Sequence, residues 1–557
     1  MAFNIPVGDG YPTPTPSPPT EPAFDTSPIT VLASSRAVVS GILTPATIVI
    51  STTSGKISSI TRSILPPSEF PSGTPYVDHS PHILFPGLVD AHVHLNEPGR
   101  TEWEGFETGT KAAAFGGVTT VIDMPLNAIP PTTTVNGLKE KIKAAQGQCW
   151  VDVGFYGGII PGNAGELKAL VNEGVKGFKG FLCDSGVSSY NLSITQNDTY
   201  SKMAVQVPEF PAVSSKDIAK VMTELADMPT TLMFHAEMIP PIADSVGDTI
   251  LHSEAPLAPK GPLTSYSTFL QSRPSSFETY AISQVLSLAY LAPNLPLHIV
   301  HLSAIEAIPL LREARANGVN ITAETCFHYL SLAAENVAEG DTRHKCCPPI
   351  RTQANQNGLW DEVLREVKGG TGDGVIKTIV SDHSPCTPNL KLLPSSMAAL
   401  SGEDRHVHTH GLPPTPPNES HEAQGDFFSA WGGISSVGLG LPILWTTAIS
   451  RKQPLTPESV VQFCCQNTAR QVGLEHQKGD LAVGLDGDVA VFDDEAEFVV
   501  GREEMLFRNK CSPYQGMRLK GVVKETWVRG RKVFQRGKGF IGAPGGQLLL
   551  EKRTIKV

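Results

Sequence analysis

Two histidines one residue apart, His92 and His94, close an apolar run that reads PGLVDAHVHL over residues 86–95. In a β-strand, side chains i and i+2 point to the same face. Both imidazoles therefore aim at one point just past the strand's end, which offers a metal ion two nitrogen ligands from one strand. An HxH pair alone is weak, because it occurs by chance. Its weight comes from further apolar runs that also end in residues of metal-ligand type. GVKGFKGFL carries Lys179, TTLMFHAE carries His235, PLHIVHLS carries His301 and IKTIVSDHS carries Asp382. Any one of these histidines, taken singly, reads as a satisfied buried side chain or a surface residue. Four at strand ends, with an aspartate at another, point to one centre. Lys179 is the odd member, since an ammonium repels a cation. It joins two metals only after losing its charge, for instance as a carbamate formed with CO2, whose two oxygens can bridge.

These residues need elements that bring them to one place. Apolar or alternating runs at Ile83–Leu95, Val118–Met124, Val151–Ile160, Gly177–Leu182, Thr230–Glu237, Pro296–Ser303, Ile321–Leu330 and Ile376–Ser384 read as eight strands. Helix-length amphipathic segments separate most of them, among them Ser215–Ala226, Glu278–Leu291, Ala304–Asn317 and Gly358–Lys368. The pattern is α/β, and eight alternating units suggest a closed parallel (β/α)8 barrel of the TIM type. A doubly wound sheet fits the count. It is disfavoured because polar residues collect at the strands' C-terminal ends all the way round.

Short strand-like runs flank this section: Ile29–Leu32, Ala46–Ser51 and Lys56–Thr61 before it, Asp488–Phe492, Phe498–Val500 and Val522–Phe534 after it, the last with a turn at Arg529-Gly530-Arg531. They suggest one small β-sandwich built from both terminal regions. The expected organisation is a Pro-rich disordered tail over 1–28 and the first part of the β domain over 29–82. The barrel follows over 83–450, with insertions at 184–214 and 385–425. A C-terminal helix and the rest of the β domain occupy 451–557. Connections as long as the two insertions are functional or disordered. The first reads as a partial lid and the second mainly as disorder. His406, His408 and His410 form a second run, HVHTH, inside the second insertion. No strand precedes it, so it reads as solvent-exposed rather than as a metal site.

The bulk properties exclude several classes. The net charge is −11, from 44 Lys and Arg against 55 Asp and Glu. With no basic block, nucleic acid is not an expected partner. Hydrophobic content of 40% with 18% charged residues fits a soluble globular chain. No apolar stretch reaches the ~18 residues of a membrane span, and MAFNIPVGDG lacks the character of a signal peptide. Nine cysteines without a regular framework are read as reduced, which implies a cytoplasmic location. The sequons at Asn191, Asn197 and Asn320 then carry no meaning.

In order, His92, His94, Lys179, His235, His301 and Asp382 match the HxH, carboxylated lysine, two histidines and final aspartate of the amidohydrolase superfamily. The chain resembles its cyclic amidohydrolases: allantoinases, hydantoinases, dihydropyrimidinases and dihydroorotases. HLNEPGRTEWEGFETGTKAAAFGGVTTVIDMPLN from His94 to Asn127, TAETCFHYL, KCCPPIR, SDHSPC and AWGGISS are most similar to allantoinases, and the Pro-rich insertions to fungal-type members. Two positions depart from the pattern: Cys347, where many relatives carry Asn, and Phe327, where Pro is common. Neither is a metal-ligand position.

The resemblance implies two divalent metal ions, usually zinc. His92, His94 and Asp382 would hold one, His235 and His301 the other, and carboxylated Lys179 would bridge them. Asp382 would also carry a proton from the attacking water to the departing ring nitrogen. Asn127, Ser384 and, more weakly, Ser303 would contact the substrate's polar edges, each with an alternative loop-capping role. His383 would support the site or be structural. The implied substrate is the small molecule allantoin, opened to allantoate, and the implied assembly a homo-oligomer, a tetramer. Alternatives stay open: a hydantoinase or dihydropyrimidinase, a dihydroorotase, or a non-catalytic assembly protein. The last kind loses metal ligands, and a dihydroorotase has an arginine soon after HxH, where this chain has Leu95 and Asn96 and reaches Arg100 only later.

Overall fold

In a computed structural model of the chain, residues 28–183, 209–240, 259–369, 373–400, 424–451 and 455–553 are described. The Pro-rich tail, most of both insertions and the HVHTH run lie outside them. Eight parallel strands close into a barrel, and each begins inside a run expected to form one. Strand one is Leu88–Val93, strand two Val118–Asp123, strand four Phe178–Phe181 and strand five Leu232–His235. Strands six, seven and eight are Leu297–Ile299, Ile321–Cys326 and Ile376–Val380. Strand three is broken at Tyr156: Asp152–Phe155 pairs with strand two, and Gly157–Gly158 with strand four. The seam between strands eight and one closes through the His94 N–H, which donates to the His383 carbonyl at 2.8 Å. Almost every strand residue is buried, as expected for a parallel sheet covered on both faces.

The run Ile83–Leu95 was expected as one strand, but it serves two sheets. Ile83–Pro86 pairs antiparallel with Val489–Val499 in the terminal domain, and only Leu88–Val93 enters the barrel. Gly87 makes the switch. A Cβ there would lie 2.1 Å from the Thr119 side chain, so the first two barrel strands approach closely only at glycine. The terminal sheet therefore extends to residue 86, past the boundary expected at 82.

That sheet has nine strands, drawn from Ile29–Pro86 and Val489–Phe540, hydrogen-bonded continuously. Its two faces alternate with period two. Leu84, Val489 and Val491 join Ile48, Ile50 and Trp527 in a core of the sheet's own. Ile83, Phe85, Ala490 and Phe492 point the other way, into the barrel's core. Arg529 and Gly530, at φ 48° and 71°, make the tight hairpin turn between Arg518–Val528 and Arg531–Gln535.

The helices occupy the expected segments. Ser215–Leu225 starts at a capping box of Ser214 and Asp217. Ser275–Leu288, Ile308–Ala316 and Gln353–Gly369 follow. No described helix is long and apolar enough to cross a membrane.

A buried ion cluster ties the barrel floor to the terminal sheet. Lys478 Nζ lies 2.5 Å from Asp152 and 2.8 Å from both Asp486 and Asp488. Arg529 also pairs with Asp152. The three carboxylates thus face an ammonium, and need no metal. Removing one partner of a buried pair costs about 3–5 kcal/mol, because the remaining charge stays buried. Lys478→Met is expected to destabilise the fold by that order, read from denaturant midpoints. A loss well below 1 kcal/mol would mean that Arg529, paired with Asp152, and Lys56, 2.6 Å from Asp486, neutralise the cluster without Lys478.

Candidate active site

The C-terminal ends of strands one, four, five, six and eight bring the six expected residues into one buried cluster. His92 Nε2 and His94 Nε2 lie 3.2 and 3.5 Å from Asp382 Oδ1. His235 Nδ1 lies 3.1 Å from His301 Nε2, and Lys179 Nζ lies 3.4 Å from the same His301 nitrogen. The His92 and His301 rings are 5.4 Å apart, so the two groups adjoin. None of the six is more than 6% exposed, which keeps bulk water away from them.

Burial sets the charge states. It pushes His94 down to about 4 and lowers His235 and His301 as well. These rings are neutral at pH 7, with lone pairs free for a cation, as metal ligation requires. Burial also pushes the Lys179 ammonium down to about 8. For Asp382, burial works to raise the pKa, but His92 and His94 outweigh it and hold the carboxyl below the usual range. Among the described residues, the buried His92 Nε2, His94 Nδ1 and His301 Nδ1 have no hydrogen-bond partner. Neutral imidazoles, a carboxylate and partnerless buried nitrogens form a donor set that suits divalent cations.

The backbone is strained where it delivers these groups. Asn127, His301 and Asp382 have φ of 65°, 38° and 44°. Each such non-glycine residue costs about 1–3 kcal/mol, and such residues concentrate at functional sites. Asn127 and Ser384 line the cavity above the cluster, beside Arg273, Cys347 and Trp431.

The sequence profile of the Amidohydrolase family matches residues 83–533. The chain belongs to the amidohydrolase family. It is 44% identical to an allantoinase of Saccharomyces cerevisiae over 94% of this chain and all of that one. An allantoinase of Streptomyces avermitilis is 39% identical over 93% and 98% of the two chains. An allantoinase of Arabidopsis thaliana is 38% identical over 84% and 81%. Among solved structures, an L-hydantoinase (dihydropyrimidinase) from Arthrobacter aurescens superposes with a TM-score of 0.73 at 25% identity, covering 93% of this chain and 99% of that one.

In this amidohydrolase, some residues singled out from the sequence do other work. Ser303 is fully buried and does not line the cavity. Its hydroxyl donates to the Pro349 carbonyl at 2.7 Å, and its N–H donates to Glu278. That corrects its reading as a substrate contact. His383 is an anchor: its Nδ1 accepts the N–H groups of Ser436 and Val437, and its Nε2 meets Glu104 at 3.1 Å. Arg100 is engaged by Glu209 and the Asn127 carbonyl, so it is not a free carboxylate clamp.

Two acids were missed. Glu324 Oε1 lies 2.5 Å from His92 Nδ1, and Glu237 Oε2 lies 2.8 Å from His235 Nε2. A signal was present for both: Glu237 sits two residues after His235, and Glu324 interrupts an otherwise uncharged strand.

Proposed function

We propose that this amidohydrolase opens the hydantoin ring of allantoin to allantoate. The end-to-end similarity to allantoinases carries the choice of substrate. The retention and convergence of all six metal-type residues support an enzyme over a non-catalytic relative.

His92, His94 and Asp382 would hold one divalent ion, and His235 with His301 the other. Lys179, pushed towards its neutral amine by burial, is suited to add CO2 through its nitrogen lone pair and lose a proton, and as a carbamate would offer the ions oxygen ligands in place of a repelling ammonium. When bound, two divalent ions, zinc by family resemblance, supply an acidified water and polarise the ring carbonyl. The chain's own residues do the rest. Asp382 accepts the proton released as water adds to the carbonyl carbon, then delivers it to the ring nitrogen as the C–N bond breaks. Asn127, whose Oδ1 has no partner among the described residues, and Ser384 orient the ring's polar edges. Further readings are a homotetramer and a cytoplasmic location, the latter supported by nine cysteines spread through the sequence without a regular framework.

A panel of allantoin, hydantoin, dihydrouracil and dihydroorotate tests the substrate. Allantoin is expected to have the highest kcat/KM, and metal analysis to approach two ions per chain. A higher kcat/KM on dihydrouracil or dihydroorotate would overturn the assignment.

A further inference from the structure

Each half of the cluster has one imidazole whose far nitrogen meets a buried carboxylate, and each carboxylate has a second basic partner. Beneath His92, Glu324 Oε2 lies 3.1 Å from His298 Nε2, and His298 Nδ1 lies 2.7 Å from the Thr322 hydroxyl. Glu324 also accepts the His301 backbone N–H at 3.2 Å and the Gln471 side-chain amide at 3.4 Å. Beside His235, Glu237 is gripped by Arg273 through Nη2 at 2.6 Å and Nε at 3.1 Å. His298, Glu324 and Glu237 are each 1% exposed or less.

The direction of these bonds follows from chemistry. An ionised carboxylate only accepts. Glu324 therefore takes the Nδ1–H of His92 and the Nε2–H of His298, and the Thr322 hydroxyl donates to His298 Nδ1. The result for His92 is one tautomer, with the Nε2 lone pair facing His94 and Asp382.

We propose that His298 is a positioning residue for His92. Acting through Glu324, it fixes the tautomer and ring angle of that ligand and so sets the affinity of the ion held by His92, His94 and Asp382. Arg273 does the same through Glu237 for the ion at His235 and His301, and the two braces act separately. The inference rests on the two-metal reading of the site. Partners that orient a ligand in this way are typically worth about 10–100-fold in metal affinity.

The test uses zinc alone, with retention per chain measured after dialysis against graded chelator. Two polar variants of similar character separate positioning from folding. In H298Q the amide nitrogen reaches where Nε2 stood and can still donate to Glu324. In H298N the shorter side chain meets Thr322 but not Glu324. H298N is expected to lose one ion at roughly 10–100-fold weaker chelation than the wild type and to keep the other. H298Q is expected to keep both. Glu237→Gln is expected to lose one ion and, combined with H298N, both. Melting of the metal-free proteins should be alike for H298Q and H298N. If H298N retains both ions as the wild type does, or loses both together, the proposal falls. It also falls if H298Q behaves as H298N. Wild-type protein that binds no zinc overturns the two-metal reading before any variant is compared.

Discussion

Asp382→Asn is expected to keep its metals and lose roughly 10²–10⁴-fold or more in kcat on allantoin, the range typical of a general acid–base group. The side chain stands 3.2 and 3.5 Å from His92 and His94 Nε2, on a backbone held at φ 44°. Asparagine has nearly the same shape, tolerates positive φ and leaves an oxygen in place to coordinate. What it lacks is the negative charge and the ability to take a proton. Metal content and kcat therefore separate Asp382's two roles. Near-normal kcat with full occupancy would remove it as the proton carrier. Loss of both ions would make ligation its dominant role.

Lys179→Ala is expected to lose both metals and, with them, activity down to background. The lysine is 1% exposed, its Nζ is 3.4 Å from His301, and no carboxylate lies within ion-pairing distance among the described residues. An ammonium there would repel two cations. Alanine leaves a gap the size of the carbamate, which a small carboxylic acid can enter. Added acetate or propionate is expected to restore part of the metal content and part of the turnover. Unchanged activity in the alanine variant would show that the lysine is structural.

The barrel was legible because its strands are short apolar runs bounded by polar ends, and those ends carry the chemistry. His92, His94, Lys179, His235, His301 and Asp382 could be chosen by type and position before any fold was known. The split at Gly87 was not legible, because the reason is a close approach to Thr119, thirty-two residues away and on another strand. Ser303 entered, as the weakest substrate contact, through the family resemblance and not through any local pattern. The chain turns at His301, where φ is 38°, and the serine points to Pro349 instead. Glu324 was passed over for the opposite reason. An acid in an otherwise uncharged strand is a signal, but its partner has no name until strand one places His92 across from it. Residues that meet metal or substrate leave marks in sequence; those that aim them act across the barrel and leave fewer.

The terminal sheet sets a timetable for synthesis. Ile83–Pro86 has Val489–Val499 as its antiparallel neighbour, with about four hundred residues between them. At ribosomal rates of about 5–20 residues per second, roughly 20–80 s separate the emergence of the two strands. During that interval one edge of the early strands is open, with Leu84 and Phe85 uncovered on its two faces. An unpaired apolar edge invites association with other nascent chains. The protein's yield in a cell is therefore expected to depend on chaperone capacity, and to fall when translation slows within the barrel.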